Sequence, residues 1–266
     1  MIKICMAGAC GRMGRRILEM AAADEDAAIG GAFDLPDRAG EKLEVGHESG
    51  NAQEVTLAAS AEDAIKNADA LIDFTFADVC LANVRAATAA GKPSIIGTTG
   101  LSNEQRDELE ELAKQVAIVY APNMSPGVNL LFKLTREAAK VLGLDYNVEI
   151  TEIHHNKKKD SPSGTAKRLG EIAAEEVGLD YDNDTAHGRE GMVGERPKRE
   201  IGMHALRGGD VIGEHVVHFI GQGERIELAH KSNTRDHYAR GAIRAARFAA
   251  KAKPGLYDMQ DVLGLK

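Results

Sequence analysis

The stretch Ile2-Lys3-Ile4-Cys5-Met6-Ala7-Gly8-Ala9-Cys10-Gly11-Arg12-Met13-Gly14 decides the fold. Its first six residues form a short apolar run of strand length, and a helical pattern follows over residues 12–23. Between them lie three glycines spaced G-x-x-G-x-x-G. Such a turn bends the main chain tightly, brings N–H groups close to a pyrophosphate and aims a helix N-terminus at the anion. A second strand over residues 28–33 ends at Asp34, about 20 residues beyond the loop, where an acid accepts hydrogen bonds from an adenosine ribose. The plainer alternative is a glycine-rich turn that only packs a helix on a strand. The strand, helix and acid in register favour the dinucleotide loop. Asp34 should repel a 2′-phosphate, which makes NADH the expected cofactor, while Arg12 and Arg38 lie near enough in sequence to leave NADPH open.

Outward from this loop, residues 55–58, 70–74, 93–96 and 117–120 read as further buried strands, with helix-like segments at 61–67, 78–90 and 102–115 between them. Ser102 followed by Gln105 fits a capping box. Strand and helix alternating at this spacing imply a parallel sheet covered on both faces. The turns Gly97-Thr98-Thr99-Gly100 and Ala121-Pro122-Asn123-Met124 follow two of these strands, on the side where open α/β sheets bind ligands.

The pattern changes near Asn123. A helix over 128–142 leads to a strand-like stretch at 147–155, a polar loop at 156–162 and a helix at 164–177. Residues 180–199 read as a long loop. Residues 200–207, 211–220 and 225–229 read as antiparallel strands joined by glycine-containing turns, and 237–252 returns to helix. The expected fold is α/β: a Rossmann-type doubly wound parallel sheet over 1–126, with 237–266 returning to it. An α+β domain with a mixed or antiparallel sheet is expected over 127–236.

Composition narrows the function classes. A chain of 266 residues with 43% hydrophobic and 28% charged residues is that of an ordinary folded protein. A net charge of −8 argues against nucleic acid or an anionic membrane as the main partner. Cys5, Cys10 and Cys80 make no CxxC or Cys/His spacing, so neither a disulfide framework nor a structural zinc is expected. No apolar run approaches the ~20 residues of a membrane span, and the opening Met1-Ile-Lys-Ile lacks signal-peptide features. The cytoplasm is the expected location.

The strongest chemical signal is Glu152-Ile-His154-His155-Asn-Lys157-Lys158-Lys159-Asp160-Ser-Pro162-Ser163-Gly164-Thr165-Ala166. Two histidines end a strand, three lysines follow, and a helix opens through Ser163-Gly164-Thr165. N–H groups at a helix start, with hydroxyls nearby, bind a carboxylate. A lysine adds a point charge, and a histidine supplies a proton near neutral pH. Adjacent strand residues point to opposite faces, so His154 and His155 should do different work. The bland alternative is a solvated basic loop with Ser163 as a plain helix cap. Adjacent strand histidines diverge and no third ligand has suitable spacing, so no metal site is expected.

Taken with AGACGRMGR, DFT at 73–75, GTTG at 97–100, APNMSPGVN at 121–129, HKSNTRDHYARGAI and GLYDMQDVLGL, this segment resembles the 4-hydroxy-tetrahydrodipicolinate (dihydrodipicolinate) reductase family along nearly the whole chain. The resemblance implies a homotetramer whose N-terminal domain binds the dinucleotide and whose central domain binds substrate and forms the oligomer. It implies hydride transfer to a cyclic imine dicarboxylate in lysine and diaminopimelate biosynthesis. His154 then matches the acid/base residue and Lys158 the proton donor, while His155, Ser163, Gly164 and Thr165 match substrate-carboxylate contacts. Gly8, Ala9, Cys10, Gly11, Arg12, Met13, Asp34, Gly97, Thr98, Thr99, Ala121, Pro122, Asn123 and Met124 match cofactor contacts. Leu35 stands where some members carry an arginine after the acidic residue, which weakens the case for NADP, and Phe76 follows DFT where others have an arginine, which leaves cofactor affinity at that edge open. Competing readings are an aspartate dehydrogenase-like oxidoreductase and a non-catalytic NAD-binding regulator. The lysine-rich loop and the SGT helix start argue against the regulator.

Overall fold

The computed structural model describes residues 1–48 and 50–266, which divide into two compact units: Met1–Pro126 with Arg235–Lys266, and Gly127–Thr234. The first unit opens with β1 (Ile2–Ala7), α1 (Arg12–Ala22) and β2 (Ala27–Phe33), then β3 (Lys42–Val45), β4 (Gln53–Thr56) and α2 (Ala61–Ile65). It continues through β5 (Ala70–Asp73), α3 (Ala77–Ala89), β6 (Ser94–Ile96), α4 (Asn103–Leu112) and β7 (Ala117–Tyr120). The second unit contains α5 (Pro126–Leu142, from Gly127 onward), β8 (Asn147–His154), α6 (Gly164–Val177), β9 (Thr185–His187), β10 (Ile201–Arg207), β11 (Gly213–Ile220) and β12 (Arg225–Ser232). The chain then completes the first unit with α7 (Asp236–Ala249), β13 (Gly255–Tyr257) and α8 (Met259–Leu263).

The main sheet runs β13-β7-β6-β5-β1-β2, and every pairing in it is parallel. Its central strands are buried on both faces, which is why Ile4–Ala7 and Ala70–Asp73 are continuous buried runs without alternation. In α1 the buried residues Gly14, Ile17, Leu18 and Ala21 recur at the i, i+3, i+4, i+7 spacing of one helix face. Ile17, Leu18 and Ala21 join a core with Ile4, Met6 and Ile72 of the sheet and with Ala242, Ile243 and Ala246 of α7. The Ser102 capping box forms: Ser102 Oγ accepts from Gln105 N–H at 3.2 Å, and Gln105 Oε1 accepts from Ser102 N–H at 2.8 Å.

Four features depart from the reading of the sequence. Residues 53–56 pair antiparallel with Lys42–Val45 as a separate hairpin rather than joining the parallel sheet, and just beyond them Ala58 bridges Phe33 of β2. Their exposed charges, Glu54 and Lys42, are ion-paired across that hairpin, a pattern of a one-sided ribbon and not of a doubly covered strand. In the second unit the sheet is mixed, one of the two forms expected, but its order is β12-β11-β8-β10-β9. β10 runs parallel to both β8 and β9 instead of forming a hairpin with β11, because β8 lies between them. The long 180–199 segment contributes the short strand β9 to that sheet. At the C-terminus β13 adds an edge strand beside β7 that apolar patterning over three residues was too short to reveal.

In the second unit, Val148 and Ile150 of β8, Val217 and Phe219 of β11 and Ile201 and Met203 of β10 pack against Leu169, Ile172 and Ala173 of α6 and Val128, Leu131 and Phe132 of α5. Among the described residues no helix is long and apolar enough to cross a membrane.

Candidate active site

At the carboxyl end of β1, Gly8 takes a positive φ of 78°, and a Cβ there would lie 2.7 Å from the Phe74 carbonyl oxygen. Gly14 is tighter still: a Cβ would sit 2.0 Å from Gly8 O, so only glycine lets α1 start this close to the loop. The loop N–H groups divide into two sets. Gly8 and Ala9 donate to Phe33 O, Cys10 donates to Asp34 Oδ2 at 2.7 Å and Gly11 donates to Gly8 O. The first helical bond is made by Arg15 N–H to Gly11 O, so the N–H groups of Arg12, Met13 and Gly14 start the helix without helical acceptors. Donors of that kind suit an anion, while the side chain of Ala9 belongs to the core and that of Met13 packs against it.

Beside the loop lies a cavity of about 400 Å³, lined among others by Gly8, Gly11, Asp34, Leu35, Ser60 and Phe76. Asp34 also accepts from Leu35 N–H at 2.9 Å, so its carboxylate is held by two main-chain donors. Leu35, Phe76 and Val79 are exposed by 60%, 75% and 45%. Large apolar side chains left in water around a cavity mark a ligand surface. Their flat apolar walls suit a heterocycle, and Asp34 suits ribose hydroxyls. The residues present therefore fit the adenosine half of a dinucleotide. Arg38 is turned into a bidentate pair with Glu41, with contacts of 2.6–3.1 Å.

Gly97–Thr99 and the strand before them are organised by Asp73, which is fully buried. Its Oδ1 accepts from Thr75 N–H, Thr75 Oγ and Thr98 Oγ, and its Oδ2 accepts from Asn83 Nδ2 at 2.8 Å. The Phe74 ring lies where a side chain at Gly97 would be, 2.3 Å from an ideal Cβ. Thr98 is buried and Thr99 exposed. Ala121 N–H donates to Ile96 O, Asn123 Oδ1 accepts from Ser125 N–H, and Pro122 is exposed. Met124 is 1% exposed and belongs to the core, which leaves only its main chain for a ligand.

In the second unit the histidine segment builds a buried polar cluster at the end of β8. Strand alternation puts Glu152 and His154 on one face with Val148 and Ile150, so both are carried into the interior, at 0% and 9% exposure. His154 Nδ1 lies 2.5 Å from Glu152 Oε2. Arg207, at the end of β10, donates to both Glu152 oxygens at 2.8 Å, and Ser163 N–H donates to Glu152 Oε1 at 3.0 Å. Burial alone would raise the Glu152 pKa. The hydrogen bonds from His154, Arg207 and Ser163 outweigh it and bring the carboxyl down to about 2. An ionised carboxylate only accepts, so His154 carries its proton on Nδ1. Its Nε2 then faces Gly213, where a Cβ would stand 2.9 Å away.

Ser163 caps α6, its Oγ accepting from Ala166 N–H at 3.2 Å, and lies 2.9 Å from His215 Nε2. His215 is 4% exposed. Burial, then the nearby His154, pushes its pKa down to about 3, so the ring is neutral. Its Nδ1 is buried with no partner. Orphaned N–H groups are rarer than orphaned acceptors, which places the proton on Nε2, donating to Ser163. The Ser163 hydroxyl then accepts two hydrogen bonds, from His215 Nε2 and from Ala166 N–H. Of the three lysines, Lys157 and Lys159 are exposed, whereas Lys158 is partly covered and held by Asp160 at 2.8–2.9 Å. Gly164 is exposed and Thr165 half-buried at the helix start, and His155 N–H donates to Val211 O. His154, Lys158 and Ser163 thus stand in one segment whose frame is Glu152, Arg207 and His215. Sequence reasoning did not single out those three. The i, i+2 step from Glu152 to His154 on a strand is the signal that could have found the first.

Residues 2–124 match the family model described as dihydrodipicolinate reductase, N-terminus, and 127–263 match that described as dihydrodipicolinate reductase, C-terminus. The 4-hydroxy-tetrahydrodipicolinate reductase of Syntrophotalea carbinolica is 48% identical over 267 residues, and that of Geotalea daltonii is 49% identical over 271, each alignment covering 100% of both chains. Among solved structures, dipicolinate-bound dihydrodipicolinate reductase from Paenisporosarcina sp. TG-14 superposes with a TM-score of 0.78 at 22% identity, covering 98% of each chain. Two family models that together span the chain, and relatives near half-identical from end to end, settle the assignment: this chain belongs to the dihydrodipicolinate reductase family.

Proposed function

We propose that the protein reduces the cyclic imine dicarboxylate derived from 4-hydroxy-tetrahydrodipicolinate to tetrahydrodipicolinate, within lysine and diaminopimelate biosynthesis. The observation that carries this reading is the cluster at the end of β8, where a histidine fixed by a buried carboxylate stands in one segment with a paired lysine and a helix start. A reduced nicotinamide dinucleotide supplies the hydride when bound. The chain's own residues do the rest. The helix-start donors of Arg12, Met13 and Gly14 hold the pyrophosphate, and Asp34 takes the adenosine ribose. The same acid disfavours a 2′-phosphate, and Arg38 is drawn toward Glu41, so NADH is the preferred form and NADPH the poorer one.

The substrate carboxylates are bound by the Ser163 hydroxyl, the Gly164–Thr165 helix start and His155. Reduction leaves negative charge on the conjugated carbon–nitrogen system, and a proton must follow it. His154 Nε2 and Lys158 Nζ are the two groups able to supply that proton, and a positioned acid contributes roughly 10²–10⁴-fold. The 127–236 region is the substrate-binding and oligomerisation domain of a homotetramer acting in the cytoplasm.

The test is NADH oxidation followed while the substrate is formed in situ from pyruvate and aspartate semialdehyde by a coupling synthase. Turnover that is inhibited competitively by pyridine-2,6-dicarboxylate is expected. Tight NADH binding with no turnover would refute the proposal. Lys158→Ala should lower kcat roughly 10²-fold or more while the Kd for NADH stays within about twofold. Equal loss of both would make Lys158 structural.

A further inference from the structure

The proposed chemistry needs a proton donor, and it leaves Glu152 without a part. Yet Glu152 is fully buried, in the middle of the cluster, and accepts from four donors on three different elements. Those donors are His154 on its own strand, both terminal nitrogens of Arg207 on β10 and the main chain of Ser163 at the entry to α6. A carboxylate kept only for stability would be a poor choice at this position. Buried ion pairs are often no better for stability than apolar side chains of the same volume.

We propose that Glu152, clamped by Arg207, is the positioning residue of the site: it fixes the His154 tautomer so that Nε2 is the nitrogen presented for proton transfer, and it ties that imidazole to the helix start that carries Ser163. This rests on the reading of His154 as a proton donor. Three pieces of geometry support it. The 2.5 Å contact from His154 Nδ1 occupies one ring nitrogen, which leaves Nε2 as the reactive one. The absence of a side chain at Gly213 keeps the space before Nε2 open, since a Cβ would come within 2.9 Å of it. Arg207 also donates to the main-chain oxygen of Asp160 at 2.8 Å. The guanidinium that holds Glu152 therefore also holds the lysine loop, through the residue that pairs Lys158. During turnover the bare Nε2 first takes a proton from solvent, giving an imidazolium that the Glu152 carboxylate stabilises, and then passes that proton to the reduced substrate, while Nδ1–H stays on Glu152 throughout. Glu152 touches neither substrate nor cofactor. It acts through His154.

The test uses the full-length protein with ¹⁵N-labelled histidine. In the wild type, His154 should show a protonated Nδ1 and a bare Nε2, and this readout does not depend on any substrate. In Glu152→Gln the side-chain amide can meet Nδ1 with its own N–H. The population should then shift toward Nε2–H, and kcat should fall roughly 10²-fold, with the Kd values for NADH and pyridine-2,6-dicarboxylate within about threefold of wild type. A wild-type His154 protonated on Nε2, or a Glu152→Gln enzyme with wild-type kcat, overturns the proposal. Should Glu152→Gln not fold, Arg207→Lys keeps the charge but loses the fork. It should show a mixed tautomer and a fall in kcat of roughly tenfold, whereas an unchanged spectrum and kcat overturn the proposal equally. Absence of wild-type turnover on the cyclic imine would instead strike the reductase reading, and the tautomer assignment would stand apart from it.

Discussion

His215 should make the second unit acid-sensitive well above the pH at which carboxylates titrate. The ring is buried and neutral, with its pKa lowered from 6.5 to about 3 by burial and by the neighbouring His154. A histidine whose folded pKa is depressed destabilises the fold as pH falls. Below 6.5 the unfolded chain takes up a proton that the folded chain refuses, until the folded pKa is reached near 3. Each pH unit in that window costs about 1.4 kcal/mol. Between pH 7.5 and 5.0, with partial titration of the unfolded imidazole at both ends, the loss is about 2 kcal/mol. The assay is urea unfolding followed by far-UV circular dichroism at both pH values and fixed protein concentration, for the wild type and for His215→Gln. Glutamine keeps a donor for Ser163 and does not titrate. His230, also lowered by burial, adds a loss of the same sign, but it is common to both proteins and cancels in the comparison. Glu152 loses its contribution only as pH falls from the ordinary carboxyl range toward 2, below the window. The wild type should therefore lose about 2 kcal/mol more than the variant between the two pH values. Equal losses would show that His215 titrates normally, and the tautomer assigned to the Ser163 pair would fall with it.

Three further substitutions test the first unit. Gly14→Ala puts a methyl group 2.0 Å from Gly8 O; it should cost roughly 1–3 kcal/mol and raise the NADH Kd at least about tenfold, read by calorimetric titration. Asp73→Ala strands donors on Thr75, Thr98 and Asn83 in a buried site, and urea unfolding should show a loss of roughly 3–5 kcal/mol. Asp34→Ser removes the charge that opposes a 2′-phosphate, and the ratio of kcat/KM for NADPH to that for NADH should rise at least about tenfold at low salt; an unchanged ratio would place the preference elsewhere.

The first unit was legible because its signals are local. A glycine turn between an apolar strand and an amphipathic helix, with an acid at the end of the next strand, is specified within 34 residues, and β1, α1, β2 and Asp34 stand where the pattern put them. Helix ends with their own capping chemistry, such as Ser102–Gln105 and Ser163, were readable for the same reason. What escaped was set by pairing at long range. Nothing within 201–220 says that β8, more than 40 residues earlier, will lie between β10 and β11. The two strands read as a hairpin because their own sequences allow one. The frame of the candidate site was hidden in the same way, since Arg207 and His215 reach Glu152 and Ser163 across 55 and 52 residues. Short edge strands such as β13, with three residues, carry too little periodicity to be seen at all.

Strand β8 shows how one short segment comes to carry so much of this protein. Its alternation presents Glu152 to the interior and Glu149 to the opposite face. Glu149 is met by Arg189, Arg196 and His204. Burial works against its ionisation, but the bonds from the two arginines and the histidine prevail and hold it near 2. A side chain at Gly202 would collide with that carboxylate, its Cβ only 1.8 Å from Glu149 Oε2, so the glycine on the neighbouring strand makes the arrangement possible. The 180–199 segment, which composition alone marked as a long loop, is thereby anchored on one face of the strand while the histidine cluster is organised on the other. The two carboxylates are three residues apart, an odd step on a strand, which sends them to opposite faces. Moving either glutamate by one position would place it on the wrong face: the loop would lose its anchor, or the imidazole its partner. Which segment each face of β8 holds is therefore set by the parity of two glutamates on a single strand.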